Sequence, residues 1–201
     1  MIIIRRILLL SFLLLPFGVF PGDPSLPAVV REYPLIESLE EAKANPSGVY
    51  RLSLRKKSLR KIPAEIWEFT NLLELDLSHN RIGQIPDSVR RLKNLQVLNI
   101  SYNKLQALPS ELGELRELRQ LLAYHNRLET LPAEVGRLEQ LTHLDLWYNE
   151  IVSLPDSLMR LRQLEEIDLR GMIISELQKD KVREWFPNAR VLTAPDCNCI
   201  K

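Results

Sequence analysis

Apolar residues recur along this chain with a period of 23 residues. A fixed period of about 20–50 residues indicates an array of stacked units, because one unit cannot bury its apolar side alone. The pattern therefore predicts an α/β solenoid whose copies share one continuous core over residues 49–177. The six copies, the last of them degenerate, begin at Val49, Leu72, Leu95, Leu118, Leu141 and Leu164.

The spacing of apolar residues changes within each copy. Leu98 and Ile100 are two residues apart, which is the period of a strand. Val135 and Leu138 are three apart, which suits a helical turn. Each copy is therefore predicted to be a short strand, a turn and a short helical segment. A proline, which fixes φ and lacks an N–H donor, favours the start of that segment. These prolines are Pro63, Pro86, Pro109, Pro132 and Pro155.

An asparagine follows the predicted strand in copies two to five. The chain must bend there inside the stack, where backbone polar groups face inward. An amide side chain can satisfy those groups, and each unpaired one would cost about 1–3 kcal/mol. We interpret these residues as a structural ladder rather than as ligands. They are Asn80, Asn103, Asn126 and Asn149.

The resulting pattern, L-x-x-L-x-L-x-x-N-x-L-x-x-L-P, resembles that of the leucine-rich repeat family. The repeat length with Leu-Pro after the turn is similar to a bacterial class found in spirochaetes, as is the lead-in YPLIESLEEAKANPSGVYRLSL. Over residues 33–193, the resemblance implies a curved solenoid with a parallel sheet on its concave face and short helical segments on its convex face. Terminal copies are expected to be atypical because they cap the stack. Accordingly, Lys57 and Met172 replace the asparagine, and Gln178 replaces the proline.

The first 22 residues differ from the rest. MIIIRR is followed by about 14 uncharged, mostly apolar residues, which is typical of a signal peptide and short for a membrane span. We expect export to the periplasm, the cell surface or the medium. Because no clear A-x-A cleavage site follows, residues 1–22 could instead remain as a membrane anchor.

Both ends of the stack are predicted to be capped. Residues 23–32 form a linker, and residues 33–48 form an N-terminal cap with a helix over 34–44, since Pro34 suits a first helical position. Residues 178–201 form a C-terminal cap and tail, with a helix from Asp180 to Phe186 and a closing strand near residues 189–192. Cys197 and Cys199 could bond to each other or to another chain, or could have no defined role.

Positions 3, 5, 7 and 8 of each copy, counted from the first apolar residue, are expected to face outward on the concave sheet and to carry no role in the fold. Adjacent strands lie about 4.8 Å apart, so copies three to five gather their aromatic rings. Tyr and Trp are enriched at binding hot spots, although the rings could also stack only to cover the sheet. The predicted partner-binding residues are Arg55, Tyr102, Leu122, Tyr124, His125, His143, Asp145, Trp147, Tyr148, Glu166, Asp168 and Arg170.

The charges of the two terminal copies differ in sign. The first copy is basic, and Glu165, Glu166 and Asp168 make the sixth acidic. Such a polarity would orient a partner of complementary charge, unless both ends are simply solvated. The basic residues are Arg51, Arg55, Lys56, Lys57, Arg60 and Lys61.

Composition and motifs argue against several function classes. The net charge of +1 gives no reason to expect nucleic acid. The chain lacks a Gly-rich phosphate loop, G-x-S-x-G and H-E-x-x-H, so no catalytic residue is predicted. His79 lies two copies from His125, about 10 Å away, which is too far for one shared metal ion. No cofactor is expected.

The sequence therefore favours an exported, non-enzymatic module that docks a protein of the envelope or of a host cell on its concave face. Contact with a membrane is expected only if residues 1–22 remain. The alternatives are a membrane-anchored or self-associating structural protein of the envelope, and a carbohydrate-binding module.

Overall fold

The chain folds into one parallel sheet of eight strands that follow one another in sequence order. The structure is a computed structural model that describes residues 26–193. Leu75 pairs with Leu98, and Leu98 pairs with Leu121, so residues one repeat apart in the sequence are paired on neighbouring strands. The strands are β1 (Leu35–Ile36), β2 (Arg51–Ser53), β3 (Glu74–Asp76), β4 (Val97–Asn99), β5 (Gln120–Leu122), β6 (His143–Asp145), β7 (Glu166–Asp168) and β8 (Arg190–Leu192).

A 3-10 helix connects each strand from β2 to β6 to the next strand. Each helix follows the predicted proline; the Leu112 N–H, for example, donates to the carbonyl of Pro109 at 3.1 Å. The helices pack so closely that a Cβ atom on Gly136 would lie 2.2 Å from the carbonyl oxygen of Ser157. The predicted helical segments are therefore confirmed, in their tighter 3-10 form. They span Ala64–Glu68, Asp87–Arg91, Ser110–Glu114, Ala133–Arg137 and Asp156–Arg160.

The repeated leucines form one continuous core. Leu118, Leu121 and Leu128 are fully buried, and the same repeat positions are buried in the neighbouring copies. The cluster extends from Ala42 in the N-terminal cap to Phe186 in the C-terminal cap. The predicted solenoid, in which stacked copies share their apolar side, is thereby confirmed.

The N-terminal cap differs from the prediction. The helix expected over 34–44 begins later, as α2 (Leu39–Ala44), because Ser38 caps it by accepting a hydrogen bond from the Glu41 N–H at 3.4 Å. β1 takes the preceding residues and pairs with the otherwise open edge of β2. A helical turn, α1 (Ala28–Arg31), lies in the predicted linker, and a 3-10 helix (Pro46–Gly48) follows α2.

The C-terminal cap contains α3 (Glu176–Trp185) and β8, which pairs with β7 as the predicted closing strand. α3 begins four residues before the predicted Asp180 because the hydroxyl of Ser175 accepts the Gln178 N–H. Residues 1–22, Cys197 and Cys199 lie outside the described residues. Between residues 26 and 193, no helix is long and apolar enough to cross a membrane.

The asparagines bind backbone groups of two adjacent copies. Asn126 accepts the Leu105 N–H at 3.0 Å and donates to the carbonyls of Ile100 and Ala123, each at 3.0 Å. The other three asparagines make the corresponding bonds in their own copies. Each amide therefore closes its own turn and joins that turn to the preceding one.

We expect Asn126→Ala to lower the free energy of unfolding by about 2–4 kcal/mol, because three buried backbone groups lose their partner. The matched control is Asn94→Ala, which removes one exposed hydrogen bond to the Thr70 carbonyl and should cost less than about 1 kcal/mol. Urea unfolding followed by circular dichroism measures both. Equal losses in the two variants would contradict the structural ladder.

Candidate binding surface

Six aromatic residues lie together just after strands β3 to β6, and we refer to them as the aromatic cluster. Four of them occupy position 8, where the backbone is left-handed, with φ between 51° and 57°. This conformation is uncommon for residues other than glycine. It recurs here because every copy bends at the same point. The members are His79, Tyr102, Tyr124, His125, Trp147 and Tyr148.

The four position-8 rings form a continuous stack, which we call the ring ladder. Ring centroids are 4.1 Å apart for His79 and Tyr102, 4.4 Å for Tyr102 and His125, and 4.6 Å for His125 and Tyr148. These separations follow from the spacing of about 4.8 Å between neighbouring strands. The first two pairs are nearly parallel, at 15° and 11°, whereas the rings of His125 and Tyr148 are tilted by 30° to each other.

Position 7 adds a second column beside the ring ladder. The rings of Tyr124 and Trp147 are 6.1 Å apart, and Trp147 also meets His125 edge-on at 4.6 Å. The guanidinium of Arg170 lies over the Trp147 ring, 5.7 Å from its centroid. The cluster therefore combines stacked rings with one cation at its C-terminal end.

Stacking decides which parts of the rings remain accessible. Tyr102 has an imidazole on each side and is 37% exposed, so the edge and hydroxyl of its ring meet solvent rather than its faces. Tyr148 is 59% exposed. A sugar that packs on a ring face has little access to the interior of such a stack, whereas protein side chains can contact ring edges and hydroxyls.

The outward residues at position 5 support the fold, which corrects the expectation that they have no such role. Asp145 Oδ1 accepts the Trp147 N–H at 3.0 Å, and Asp168 Oδ1 accepts the Arg170 N–H at 3.0 Å. Asp76 makes the same bond two residues along the chain. Such Asx turns fix the bend that follows the strand. Leu122 has no acceptor and lies, half-buried, beside Asp145 in the sheet.

The predicted residues at position 3 do not join the aromatic cluster. His143 lies at the start of β6, with its Nδ1 atom 2.9 Å from Thr142 Oγ1, and none of the ring contacts described in residues 26–193 involves it. At the basic end, Arg51 forms an ion pair of 2.6 Å with Glu74, in which both side chains are largely buried. Part of the basic charge is therefore neutralised inside the sheet.

The remaining basic groups of the first copy include Arg55 and Lys56, which are exposed near His79. Burial lowers the pKa of His79, and the positive charges of Arg55 and Lys56 lower it further. The ring ladder thus begins on an imidazole that lies beside two cations.

Three carboxylates on strands β6 and β7 at the acidic end have different surroundings. Asp168 is buried and binds the Arg170 guanidinium through both oxygens, and Glu166 contacts Arg190 at 3.2 Å. Among the described residues, Asp145 has no cation within 4.0 Å. Burial raises its pKa to about 6, and the hydrogen bond from the Trp147 N–H opposes this shift. The negative charge of Asp168 adds to the shift, and the positive charge of Arg170 opposes it.

The histidines do not form a metal site within the described part of the chain, where no three His, Cys, Asp or Glu side chains lie close enough to hold an ion. The structure thus brings together Tyr102, Tyr124, His125, Trp147, Tyr148 and Arg170 from the predicted set, and places His143 outside it. His79 and Gly171, which limit the ring ladder, were not among the predicted binding residues.

Comparisons with known proteins agree with this architecture. The family model described as leucine rich repeat matches residues 47–105, 70–128 and 124–171. A leucine-rich repeat protein of Leptospira interrogans superimposes with a TM-score of 0.69 at 27% identity, over 80% of this chain and 46% of that chain. The resemblance to spirochaete proteins of this class is therefore confirmed.

A second similar structure is the ectodomain of the Arabidopsis thaliana receptor kinase GASSHO1/SCHENGEN3 in complex with Casparian strip integrity factor 2. Its TM-score is 0.58 at 29% identity, over 67% of this chain and 17% of that chain. This chain therefore spans less than half the length of either structure. No curated protein matches the sequence.

We expect Asp145→Asn to stabilise the protein more at about pH 7.5 than at about pH 4. Because folding raises the pKa of Asp145 from 3.8 to about 6, its contribution to stability is fully present below the unfolded value and is lost as the pH rises through about 6. Asparagine keeps the acceptor for Trp147 and is neutral throughout. The gain is modest because solvent screens a partly buried charge.

Urea unfolding at the two pH values measures this difference. Asp76→Asn, the same exchange at the same repeat position, gives the cost of replacing a carboxylate acceptor by an amide. If the advantage of Asp145→Asn over the native protein were the same at both pH values, Asp145 would not be the titrating group.

Proposed function

Because the chain belongs to the leucine-rich repeat family, whose domains generally mediate protein–protein interaction, we propose that it is an exported, non-enzymatic module that docks a protein partner on its concave face. The observation that carries the proposal is the aromatic cluster, which concentrates tyrosine, tryptophan and histidine rings on one face of the sheet. The partner is a protein of the envelope or of a host cell.

The chemistry of the cluster suits a protein surface. Tyr and Trp contribute large contact areas at low cost in conformational entropy, and they are the residues most enriched at hot spots. Since the stack already limits the ring rotamers, binding loses less side-chain entropy than it would with independent rings. The exposed hydroxyl-bearing edges of Tyr102 and Tyr148 add hydrogen-bonding capacity.

Charge gives the surface a direction. Arg55 and Lys56 lie at one end, while Glu166 and Asp168 lie at the other. Complementary charges on a partner would align it along the sheet and speed the encounter more than they would add affinity. The Arabidopsis ectodomain, which is in complex with Casparian strip integrity factor 2, is a related repeat domain with a bound ligand.

We expect Trp147→Ala combined with Tyr124→Ala to weaken partner binding at least about 100-fold, because two clustered hot-spot rings typically contribute 2 kcal/mol or more each. The partner is first captured by cross-linking from fractionated source cells, and its affinity for each variant is then measured by calorimetry. Circular dichroism confirms that each variant is folded.

The matched control is Met159→Ala with Arg160→Ala. Both residues are exposed on the 3-10 helix Asp156–Arg160, on the other side of the solenoid. This pair should bind the partner as the native protein does. Native affinity in the folded Trp147 and Tyr124 variant, or loss of binding in the control, would rule out the concave cluster.

Export is tested separately by the intact mass of the native protein from fractionated cells. We expect a mass that lacks roughly the first 22–28 residues, in the periplasmic or secreted fraction, since an apolar segment that follows two arginines is the substrate of signal cleavage. A full-length mass in the membrane fraction would contradict export in soluble form. It would favour the membrane-anchored envelope protein.

A further inference from the structure

The ring ladder ends at a residue without a side chain. Position 8 of the sixth copy is Gly171, which keeps the left-handed bend with φ of 71° but contributes no ring. Among the described residues, Tyr148 contacts His125 on one side at 4.6 Å, with the two rings tilted by 30°, and meets Trp147 edge-on at 6.3 Å. Its 59% exposure is therefore concentrated at the end of the ladder.

At Gly171 the backbone has the same left-handed conformation as at the ring-bearing positions of the ladder. A Cβ atom on Gly171 would lie 3.3 Å from Cδ2 of Tyr148 and 3.4 Å from its backbone N and Cα atoms. The tyrosine therefore borders this position closely, and its ring would shift slightly if Gly171 itself carried a side chain. The rings of the ladder follow one another at 4.1–4.6 Å, so a planar group placed at a similar distance beyond Tyr148 would be in contact with its ring. A planar group from a partner could therefore continue the ladder above Gly171.

The charges around the open face of Tyr148 favour a cationic group there. The face of a phenol ring carries the negative part of its quadrupole and attracts a guanidinium. At this end of the sheet Arg170 binds Asp168 and Arg190 binds Glu166, whereas Asp145 has no cation within 4.0 Å in the described range. Glu165 adds a further, exposed carboxylate. A guanidinium already lies over a ring of the same cluster, that of Arg170 over Trp147 at 5.7 Å.

We propose that an arginine side chain of the protein partner stacks on the open face of Tyr148 above Gly171, as the fifth rung of the ring ladder. This inference rests on the proposed function and specifies the chemistry that the concave face recognises. The guanidinium supplies the flat shape that the rung requires and a positive charge on the side of the sheet where Asp145 has no described cation within 4.0 Å.

The test uses capped tripeptides, acetyl-Gly-Arg-Gly-amide and its analogues with citrulline, lysine or tyrosine in the centre, titrated by NMR into the full chain. Citrulline keeps the planar shape without the charge, and lysine keeps the charge without the planar shape. We expect the arginine peptide to shift the resonances of Tyr148 and Trp147 in a saturable way and to bind at least about 3-fold tighter than each analogue.

Substitutions at the ladder locate the site. Gly171→His should complete the ladder with the chain's own ring and abolish binding of the arginine peptide, and it should fold because His79 and His125 already adopt this backbone, with φ of 56° and 51°. Tyr148→Asn should also abolish binding, since asparagine tolerates the left-handed bend but offers no ring. Met159→Ala, on the 3-10 helix Asp156–Arg160 away from the ladder, should leave binding of the peptide within about 2-fold of the native protein.

Several results would overturn the proposal. These are unchanged binding to Gly171→His, tighter binding of the tyrosine peptide or of methyl β-glucoside, and no saturable shift with the arginine peptide. Binding that appears only after removal of residues 194–201 would also overturn it, because those residues would then occupy the rung. If Gly171→His leaves the captured partner bound while the Trp147 and Tyr124 variant loses it, the arginine rung fails and the proposed function stands.

Discussion

The structure depends on the chain making the same bend after every strand. At that bend the backbone is left-handed at position 8 of all six copies. In copies two to five an asparagine at position 9 binds the backbone of its own copy and of the preceding one, as Asn126 does. Buried backbone groups must be paired, so each turn is completed only when the next copy is in register. Burial of the leucines then follows, because identical positions lie side by side along the whole sheet.

The same register accounts for what could be predicted from the sequence. The strands and the shared core follow from leucine spacing alone, since every copy repeats the signal. The gathering of Tyr124 and Trp147 also follows, because residues 23 apart must lie on neighbouring strands. A contact that occurs only once in the molecule cannot be predicted from the repeat pattern, because no other copy shows the same residues. The misplaced start of the N-terminal helix shows this, since Leu35 and Ile36 join a strand only because β2 offers an open edge.

The candidate site was predictable in its location but not in its internal roles. Counting outward positions treats every side chain as available, yet Asp145 and Asp168 are committed to backbone N–H groups. Arg51 is likewise committed to Glu74. These hydrogen bonds and this ion pair depend on the exact backbone bend and on the side-chain rotamers, and the periodicity of the sequence gives neither. His143 has the right residue type and faces outward, but it lies at the start of its strand, whereas the rings gather after the strand ends.

The environment of Asp145 at the acidic end depends on one apolar residue among the polar residues at position 5. Position 5 holds an acidic or amide residue in copies two, three, five and six, but copy four has Leu122. Asp145 therefore lies between an apolar neighbour and Asp168, whose charge is already balanced by Arg170. Asp145, which has no cation within 4.0 Å among residues 26–193, ends the strand that leads into Trp147 and Tyr148. The ring ladder and the carboxylate of Asp145 thus lie at the same end of the sheet. Because the fold already holds both in place, a partner could bind there with little rearrangement of the protein.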